Sequence, residues 1–417
     1  MLKIIIILIA AVVVLNSAFA GSDLYEDDID YSIAAIPPDL ISESDALVRI
    51  KYSHFEVLDE NSAVLKMLSA ITIFNKNGQG NGRLSISYNR FRQIEDLEGK
   101  IYDADGEEVR ELDSDEIKDY SSYNDYSLYD DYRYKQAVLL YDKFPYTVEY
   151  KYEINYDGYL SWPSWYSRTS TDPVEQNIFE VKVPKNYEFR YWCNSDSVKP
   201  EILNDGGTKT YTWKAANLPE LPNEAEEEDI EDYASIVFIA PSVFEIDEYK
   251  GTMSSWKEFG AWYNSLTRGL NSLPPSAVNE VKSLIGGITD DKEKIYKLYK
   301  YMQDRSRYVS VQLGIGSWKP FSAQYVHERG YGDCKALSNY MVSLLKIAGI
   351  TAYPVLINSG HYRIPIVSEF PSNQFNHVIV YVPLKEDSVW LECTSQIIPP
   401  GFIGWNSENR KALMITP

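Results

Sequence analysis

Cysteine, histidine and long apolar runs are all scarce in this chain. Its 417 residues include three cysteines and four histidines. So few cysteines argue against a disulfide scaffold, and no two cysteines or histidines have the spacing of a zinc site. We therefore expect neither a metal nor another cofactor. An odd number of cysteines leaves at least one thiol free within a single chain, and a free thiol in an oxidising compartment calls for a chemical reason.

Positive charge is also in short supply. The chain has 40 Lys and Arg against 61 Asp and Glu, which gives a formal net charge of −21. A protein of this charge repels the phosphates of nucleic acid and anionic lipid. We therefore expect no nucleic-acid partner.

The longest apolar run of the sequence lies at its N-terminus. Residues 1–20 read MLKIIIILIAAVVVLNSAFA, in which Lys3 precedes the apolar run and a small-residue motif ends at Ala20. This order is typical of a secretory signal peptide that is removed after Ala20. The alternative is an uncleaved anchor, although the run is short for a membrane span. We expect an exported protein, periplasmic or extracellular, that meets the membrane only through this transient segment.

Apolar and polar residues alternate from about residue 45 to 215. In YTVEYKYEINY, every second residue from Tyr146 to Tyr156 is apolar or aromatic, which is typical of a half-buried antiparallel strand. Similar segments are separated by Gly, Asn, Asp and Pro turns. We predict that residues 21–250 form an all-β sandwich of unknown function, with an acidic connector near residues 224–232.

A tyrosine-rich acidic stretch interrupts this alternation. Residues 113–134 interleave six tyrosines with seven acidic residues. This composition favours a solvated, mobile loop, and the alternative is a surface that binds sugar or peptide.

The apolar period becomes helical after about residue 250. SSWKEFGAWYNSLTRGL and DDKEKIYKLYKYMQDRSRYV each place their large apolar residues on one helical face, and Asp290 or Asp291 could cap the second helix. Strands follow the helices, so we predict that residues 251–417 form an α+β domain. The whole chain is therefore expected to be multidomain.

The stretch RGYGDCKALSNYM places Cys334 at the start of a predicted helix that ends before Gly349. Asp333 occupies the N-cap position, and the positive end of the helix dipole favours an anion such as a thiolate. The same backbone N–H groups could stabilise an oxyanion, and the preceding glycines would let a substrate approach closely. The alternative is core packing. Cys193 and Cys393 are expected to be structural, either free or paired with each other.

A base for this cysteine is predicted on a hairpin. HVIVYV and DSVWLECTS read as two strands joined by LKED, with the valines on one face. His377 and Glu392 then lie nearly opposite each other on the second face, as an imidazole and the carboxylate that orients it. His361, in a predicted loop, is the alternative base. Gln312 and Trp318 are the upstream polar candidates for an oxyanion hole.

The sequence around Cys334 and His377 resembles the transglutaminase-like superfamily of papain-like cysteine enzymes. The resemblance lies in the segment from RYVSVQLGIGSWKP through GDCKALSNYM to INSG, and in QFNHVIVYVP and WLECTS that follow it. The resemblance covers roughly residues 305–400 and is greatest to exported bacterial proteins, common in Bacteroidota, that carry a β-sandwich domain ahead of the core. It implies that Cys334 is the nucleophile and His377 the general base. Glu392 stands where the family usually has aspartate. Relatives often continue into a further β domain, so a truncated form is one expectation.

These observations predict an exported thiol enzyme with a Cys-His-acid triad. Its substrate would be an amide in a peptide, a protein or a peptidoglycan-like polymer, and either hydrolysis or transamidation would follow. The alternative is a binding module that has kept the fold and lost catalysis, which the glutamate at position 392 and the acidic tyrosine-rich stretch favour. The oligomeric state is not indicated by the sequence.

Overall fold

The structure is a computed structural model. It describes residues 25, 29–41, 44–121, 127–222, 230–361 and 365–417. The predicted signal peptide lies outside these residues, as does most of the predicted acidic connector, whose last residues belong to the 3-10 helix Ile230–Tyr233. In the described ranges, no helix has the length and apolar character that crossing a membrane requires.

The first part of the chain consists of strands joined by short connections. In chain order the strands are β1 Ala46–Val57, β2 Ser62–Ile73, β3 Arg83–Tyr88, β4 Arg92–Tyr102, β5 Glu108–Glu111, β6 Lys118–Ser121, β7 Ser127–Asp130, β8 Arg133–Val138, β9 Tyr146–Asp157, β10 Ser164–Tyr166, β11 Val174–Pro184, β12 Phe189–Cys193, β13 Glu201–Asp205, β14 Thr208–Leu218, β15 Ile236–Pro241, β16 Val243–Ile246 and β17 Tyr249–Thr252.

Eight of these strands form one large sheet in the order β13-β14-β11-β1-β2-β9-β4-β5. Neighbouring strands are antiparallel except β1 and β11, which are parallel. One face of the sheet packs against two smaller sheets, β10-β15-β12 and β3-β8-β6, and apolar side chains from both layers fill the space between them. The predicted all-β sandwich is confirmed.

Strand β9 is more buried than its alternating sequence indicates. Thr147 and Glu149, on the polar face, are 0% and 7% exposed. The Thr147 hydroxyl is 2.8 Å from that of Thr72, and Glu149 accepts a hydrogen bond of 2.5 Å from the Tyr31 hydroxyl. The segment around Tyr31 covers this second face, which a pattern read within the strand alone cannot reveal.

Strands form part of the tyrosine-rich acidic stretch, which was predicted to be a solvated loop, although every residue of β6 is exposed. β6 pairs with β8, and β7 pairs with a strand formed by Ser310–Gln312 in the second part of the chain. Residues 122–126 of the stretch lie outside the described residues. The loop prediction is wrong for β6 and β7 because hydrogen-bond partners distant in sequence satisfy their backbones.

The second part of the chain mixes helices with short strands. Its elements are α1 Trp256–Leu266, α2 Pro275–Leu284, α3 Asp291–Arg305, β18 Arg307–Tyr308, β19 Ser310–Gln312, α4 Ala323–Arg329, β20 Tyr331–Gly332, α5 Cys334–Ile347, β21 Tyr353–Ile357, β22 His377–Pro383, β23 Ser388–Leu391 and β24 Ala412–Met414. A four-stranded sheet in the order β23-β22-β21-β24 packs against α5. The predicted α+β character is confirmed.

Helical periodicity correctly identified the buried faces in this part. In α3 the predicted face is fully buried (Ile295, Leu298, Tyr299 and Met302), and Asp290 caps the helix by accepting a 2.7 Å hydrogen bond from the Glu293 N–H. In α1 four predicted residues are buried (Phe259, Trp262, Tyr263 and Leu266), whereas Trp256 is half-buried and Leu270 lies beyond the end of the helix. Both helices pack their apolar stripe inward, as the hydrophobic effect requires.

An apolar cluster spans the predicted domain boundary at residue 250. Its members come from both parts of the chain and include Leu160, Ala240, Phe244, Ile246, Phe259, Trp262, Leu356 and Phe370. Burial of apolar side chains from both parts stabilises their contact. The cluster also contains Cys334, so the shared core reaches the predicted site.

Candidate active site

Two glycines shape the backbone that leads to Cys334. Gly330 ends α4 with a φ of +70°, and a Cβ there would lie 2.9 Å from the carbonyl oxygen of Arg305. A Cβ on Gly332 would lie 2.9 Å from the Cβ of Ala336. The glycines are therefore required by a left-handed helix end and by close packing onto α5.

The first turn of α5 holds the cysteine in place. The Asp333 side chain accepts a 2.9 Å hydrogen bond from the Ala336 N–H, as an N-cap does. Cys334 is the first residue of the helix and is 8% exposed. Helix geometry leaves the N–H groups of the first turn without acceptors inside the helix. An anion that forms at this sulfur therefore lies at the positive end of the dipole.

A buried ion pair flanks the cysteine. The Lys335 Nζ donates a 2.5 Å hydrogen bond to Asp333 Oδ2, and the two side chains are only 5% and 3% exposed. Burial by itself lowers the pKa of Lys335, but the charges of Asp333 and Cys334 outweigh burial and raise it. Lys335 is thus a cation beside the sulfur. Sequence reasoning missed this pair, although charged residues on both sides of a cysteine in a buried helix were a usable signal.

His377 is hydrogen-bonded to Glu392 and lines the same cavity as Cys334. Its Nε2 lies 2.9 Å from Glu392 Oε2, and the nearby Cys334 thiol is among the groups that raise the pKa of His377. With Nε2 directed at the carboxylate, Nδ1 is the nitrogen left for the sulfur. Burial by itself lowers the pKa of His377, but the hydrogen bonds and charges of Cys334 and Glu392 raise it to about 10.

The carboxylate of Glu392 is held through both oxygens. While Oε2 contacts His377, Oε1 accepts hydrogen bonds of 3.1 Å from the Thr394 N–H and 2.6 Å from the Thr394 hydroxyl. Burial tends to raise the pKa of Glu392, but the contacts with His377 and Thr394 lower it. The carboxylate of Glu392 thus lies within hydrogen-bond distance of the imidazole, even though the side chain has one methylene more than the aspartate usual in the transglutaminase-like superfamily.

The hairpin register explains how these two side chains meet. Val380 pairs with Leu391, and the ladder between β22 and β23 ends there. Continuing this register places Glu392 opposite Ile379, so Glu392 reaches His377 diagonally along one face. The valine face packs into the core with α5, as predicted.

Cys334 and His377 line an open cavity of about 230 Å³. Both oxyanion candidates line the same cavity. The Trp318 ring packs 5.6 Å from that of Trp262, whereas Gln312 ends β19, the strand that pairs with β7.

The first domain contributes to the wall of this cavity. Tyr132, which follows β7, lines it, and the nearby Asp131 Oδ2 accepts a 3.3 Å hydrogen bond from the Gly314 N–H. Sequence reasoning missed Tyr132 as a site residue. The only signal was its place in the tyrosine-rich stretch, because its proximity to Cys334 depends entirely on tertiary structure.

The remaining histidine and cysteine candidates lie elsewhere. His361 is exposed, with its ring 5.2 Å from that of Trp405. All three thiols are free; Cys193 packs in the first domain and Cys393 in the core of the second. In the part of the chain that the structure describes, no group of three or more His, Cys, Asp or Glu is arranged to hold a metal ion.

The raised pKa of His377 predicts a pH-dependent stability. Its ordinary value of 6.5 applies to the unfolded chain, and the folded value is about 10. The folded protein therefore binds the proton more tightly, so the stabilisation is complete below pH 6.5 and is lost as the pH rises towards 10. Urea unfolding of the wild type and of His377→Gln should show a difference in unfolding free energy that shrinks over this range. A difference that is constant or grows with pH would contradict the assignment.

Two family models match the chain. Residues 60–222 match a domain of unknown function with a solved structure, DUF3857, and residues 279–394 match the transglutaminase-like superfamily. No curated protein matches the chain at a significant level.

Solved structures include proteins of similar fold. A candidate protease from Parabacteroides distasonis is 15% identical with a TM-score of 0.64, over 86% of this chain and 68% of that one. A candidate cysteine protease from Cytophaga hutchinsonii is 10% identical with a TM-score of 0.23, over 85% of this chain and 81% of that one. A zinc metallopeptidase from Deinococcus radiodurans is 10% identical with a TM-score of 0.25, over 50% of this chain and 46% of that one.

The last two TM-scores are too low to bear on the fold, and the first supports the shared fold alone. The matched ranges agree with the architecture, since residues 60–222 lie in the all-β part and residues 279–394 contain α3, α5 and the hairpin. The chain thus combines a region that matches DUF3857 with a region that matches the transglutaminase-like superfamily.

Proposed function

We propose that this protein is an exported thiol enzyme that acts on amide bonds through Cys334, His377 and Glu392. The observation that supports the proposal is the hydrogen bond between His377 and Glu392 at a cavity that Cys334, at the start of α5, also lines. A nucleophile, a base and a group that orients the base are the parts that covalent acyl transfer needs.

The proposed reaction begins with attack of the Cys334 sulfur on an amide carbonyl carbon. The N–H groups at the start of α5, together with Gln312 or Trp318, stabilise the negative charge on the carbonyl oxygen. The carbon–nitrogen bond then breaks, and the proton held by His377 passes to the leaving amine. Glu392 keeps the ring oriented and stabilises its charged form. The product of this half-reaction is a thioester.

The second half-reaction resolves the thioester. Water or an amine attacks the carbonyl carbon, His377 takes up a proton from the attacking group, and the sulfur leaves as a thiolate. Hydrolysis results with water and transamidation with an amine. We expect hydrolysis, on a peptide, protein or peptidoglycan-like amide outside the cytoplasm. The composition of residues 1–20 supports export.

Selective alkylation tests the proposed nucleophile. Iodoacetamide at neutral pH, followed by peptide mass spectrometry, should label Cys334 faster than Cys193, although Cys334 is only 8% exposed. Burial raises the pKa of the Cys193 thiol and makes it less reactive. His377→Ala should slow labelling of Cys334 and leave that of Cys193 unchanged. Equal rates at Cys334 and Cys193 in the folded wild type would refute an activated thiol.

A further inference from the structure

A second cavity adjoins the one that contains Cys334. It has a volume of about 190 Å³, and Asn373 lines both cavities. One wall comes from the first domain and includes Trp162 and Phe238, and the other comes from residues 365–374 and includes Phe370. The second cavity therefore lies between the two domains, next to the proposed reaction centre.

Hydrogen bonds hold the second wall in a defined shape. Gln374 donates from Nε2 to the Phe370 carbonyl at 2.8 Å and accepts at Oε1 from the Val367 N–H at 2.8 Å. The Trp256 indole donates to the Ser368 carbonyl at 2.6 Å. These contacts organise the cavity before a substrate arrives, which lowers the entropy cost of binding.

The lining of this cavity is uncharged. Among the described residues, its walls contain no Asp, Glu, Lys or Arg, although such residues make up 24% of the chain. Trp162, Phe238 and Phe370 contribute aromatic rings to the lining. A charged group would lose its hydration here, whereas an apolar side chain would gain from leaving water. A charge close to this wall is the Arg190 guanidinium, which packs 5.3 Å from the Phe370 ring centroid.

Asn373 marks the junction with the reaction centre. Its Nδ2 donates a 2.6 Å hydrogen bond to the Ser161 hydroxyl, which fixes the amide across the domain interface. Its Oδ1 is buried and has no hydrogen-bond partner among the described residues. A buried acceptor without a donor costs free energy, so this amide is held in place by the domain interface and not by its own hydrogen bonds alone.

We propose that this cavity, which we call the aromatic subsite, binds a bulky uncharged side chain of a peptide substrate, next to the residue whose carbonyl Cys334 attacks. The inference rests on the proposed function and adds the substrate class to it. The DUF3857 domain would thereby take part in choosing the substrate, since it supplies one wall.

Peptidyl chloromethyl ketones test the aromatic subsite directly, because they react with the thiol itself and do not require the natural substrate. The thiolate displaces chloride and forms a thioether, so the rate of inactivation reports binding beside Cys334. Acetyl-Phe-Gly chloromethyl ketone should alkylate Cys334 at least about tenfold faster than the acetyl-Gly-Gly and acetyl-Asp-Gly compounds, the selectivity expected of an apolar pocket. Equal rates for the three compounds would overturn the proposal.

A variant that fills the aromatic subsite tests whether the preference for the Phe compound arises there. Ser164 lines the aromatic subsite and is exposed on β10. Ser164→Trp should therefore reduce the preference for Phe about tenfold, which would remove the selectivity that an apolar pocket supplies. Ser85→Trp, at an exposed position of β3 outside the cavity, is the matched control and should preserve the preference.

Labelling with iodoacetamide distinguishes failure of the aromatic subsite from failure of the proposed function. If it labels Cys334 faster than Cys193 but the Phe preference is absent or survives in Ser164→Trp, the aromatic subsite is wrong and the proposed function stands. If Cys334 reacts no faster than Cys193 with iodoacetamide, the proposed function itself fails.

Discussion

Replacing Cys334 by alanine should reduce amide turnover by at least about 10³-fold, since removing the nucleophile of a covalent mechanism costs a factor of this order or more. The sulfur is the only atom at this position able to form the thioester. The assay is incubation of the purified protein with a peptide library, with new termini and new amide linkages followed by mass spectrometry. Circular dichroism should show that the folded state is retained.

Cys393→Ala is the control for this experiment, and Glu392→Gln tests the group that orients the imidazole. Cys393→Ala removes a buried thiol from the core. Because a buried thiol of this kind acts as a small apolar group, its loss should leave turnover within about threefold of the wild type. Glu392→Gln keeps the side-chain length and removes the charge that stabilises the imidazolium. It should lower kcat by about 10²- to 10⁴-fold.

If cells that carry Cys334→Ala behaved like wild-type cells, whereas cells that lack the protein did not, the enzyme hypothesis would be contradicted. The chain would then act as the binding module that the sequence also allowed. A bound partner that is captured equally by the wild type and by Cys334→Ala, without any turnover in either, would identify that outcome.

Replacing Lys335 by methionine should destabilise the folded protein by about 3–5 kcal/mol, as expected when one partner of a buried ion pair is removed. The carboxylate of Asp333 is 3% exposed and 2.5 Å from the Lys335 ammonium, so the substitution leaves a buried charge without its counter-ion. Asp333 also caps α5, so its disturbance would loosen the turn that carries Cys334. Urea denaturation followed by tryptophan fluorescence measures the change.

Two further variants distinguish this mechanism from a general effect of losing a lysine. The double variant Asp333→Asn with Lys335→Met removes both charges and keeps a good N-cap residue, so it should recover much of the lost stability. Lys292 forms an exposed pair with Asp387, the side chains being 47% and 58% exposed. Lys292→Met should therefore leave the stability close to that of the wild type. If Lys335→Met lowered the free energy of unfolding as little as Lys292→Met does, the buried carboxylate of Asp333 would not depend on Lys335 for its stability, and the prediction would be wrong.

Much of the candidate site could be predicted because its parts are local. The apolar stripe of α5, the N-cap at Asp333 and the period of two around His377 are set by neighbouring residues. Predicting that Glu392 lies near His377 required only one further assumption, namely that a short turn folds the two strands into a hairpin. Such features depend on side-chain spacing along one element or across one turn.

The features that sequence reasoning missed join residues far apart in the chain. Tyr132 lines the cavity of Cys334 because β7 pairs with β19, and Glu149 is buried because the segment around Tyr31 covers its face of the sheet. No pattern within either strand encodes these partners. The glycines before Cys334 were noticed, but their role in packing onto α5 required the position of Ala336.

The sequence by itself determined the order of an all-β part and an α+β part, the helix that begins at Cys334 and the strand face that presents His377 beside Glu392. These follow from periodicity, capping and turn chemistry, which act over a few residues. Only the tertiary structure decided that the imidazole and the sulfur line one cavity, that Lys335 is buried as an ion pair, and that the first domain lines the same cavity. The reason is that burial of apolar surface is non-directional, so which distant surfaces meet is settled only when the whole chain packs.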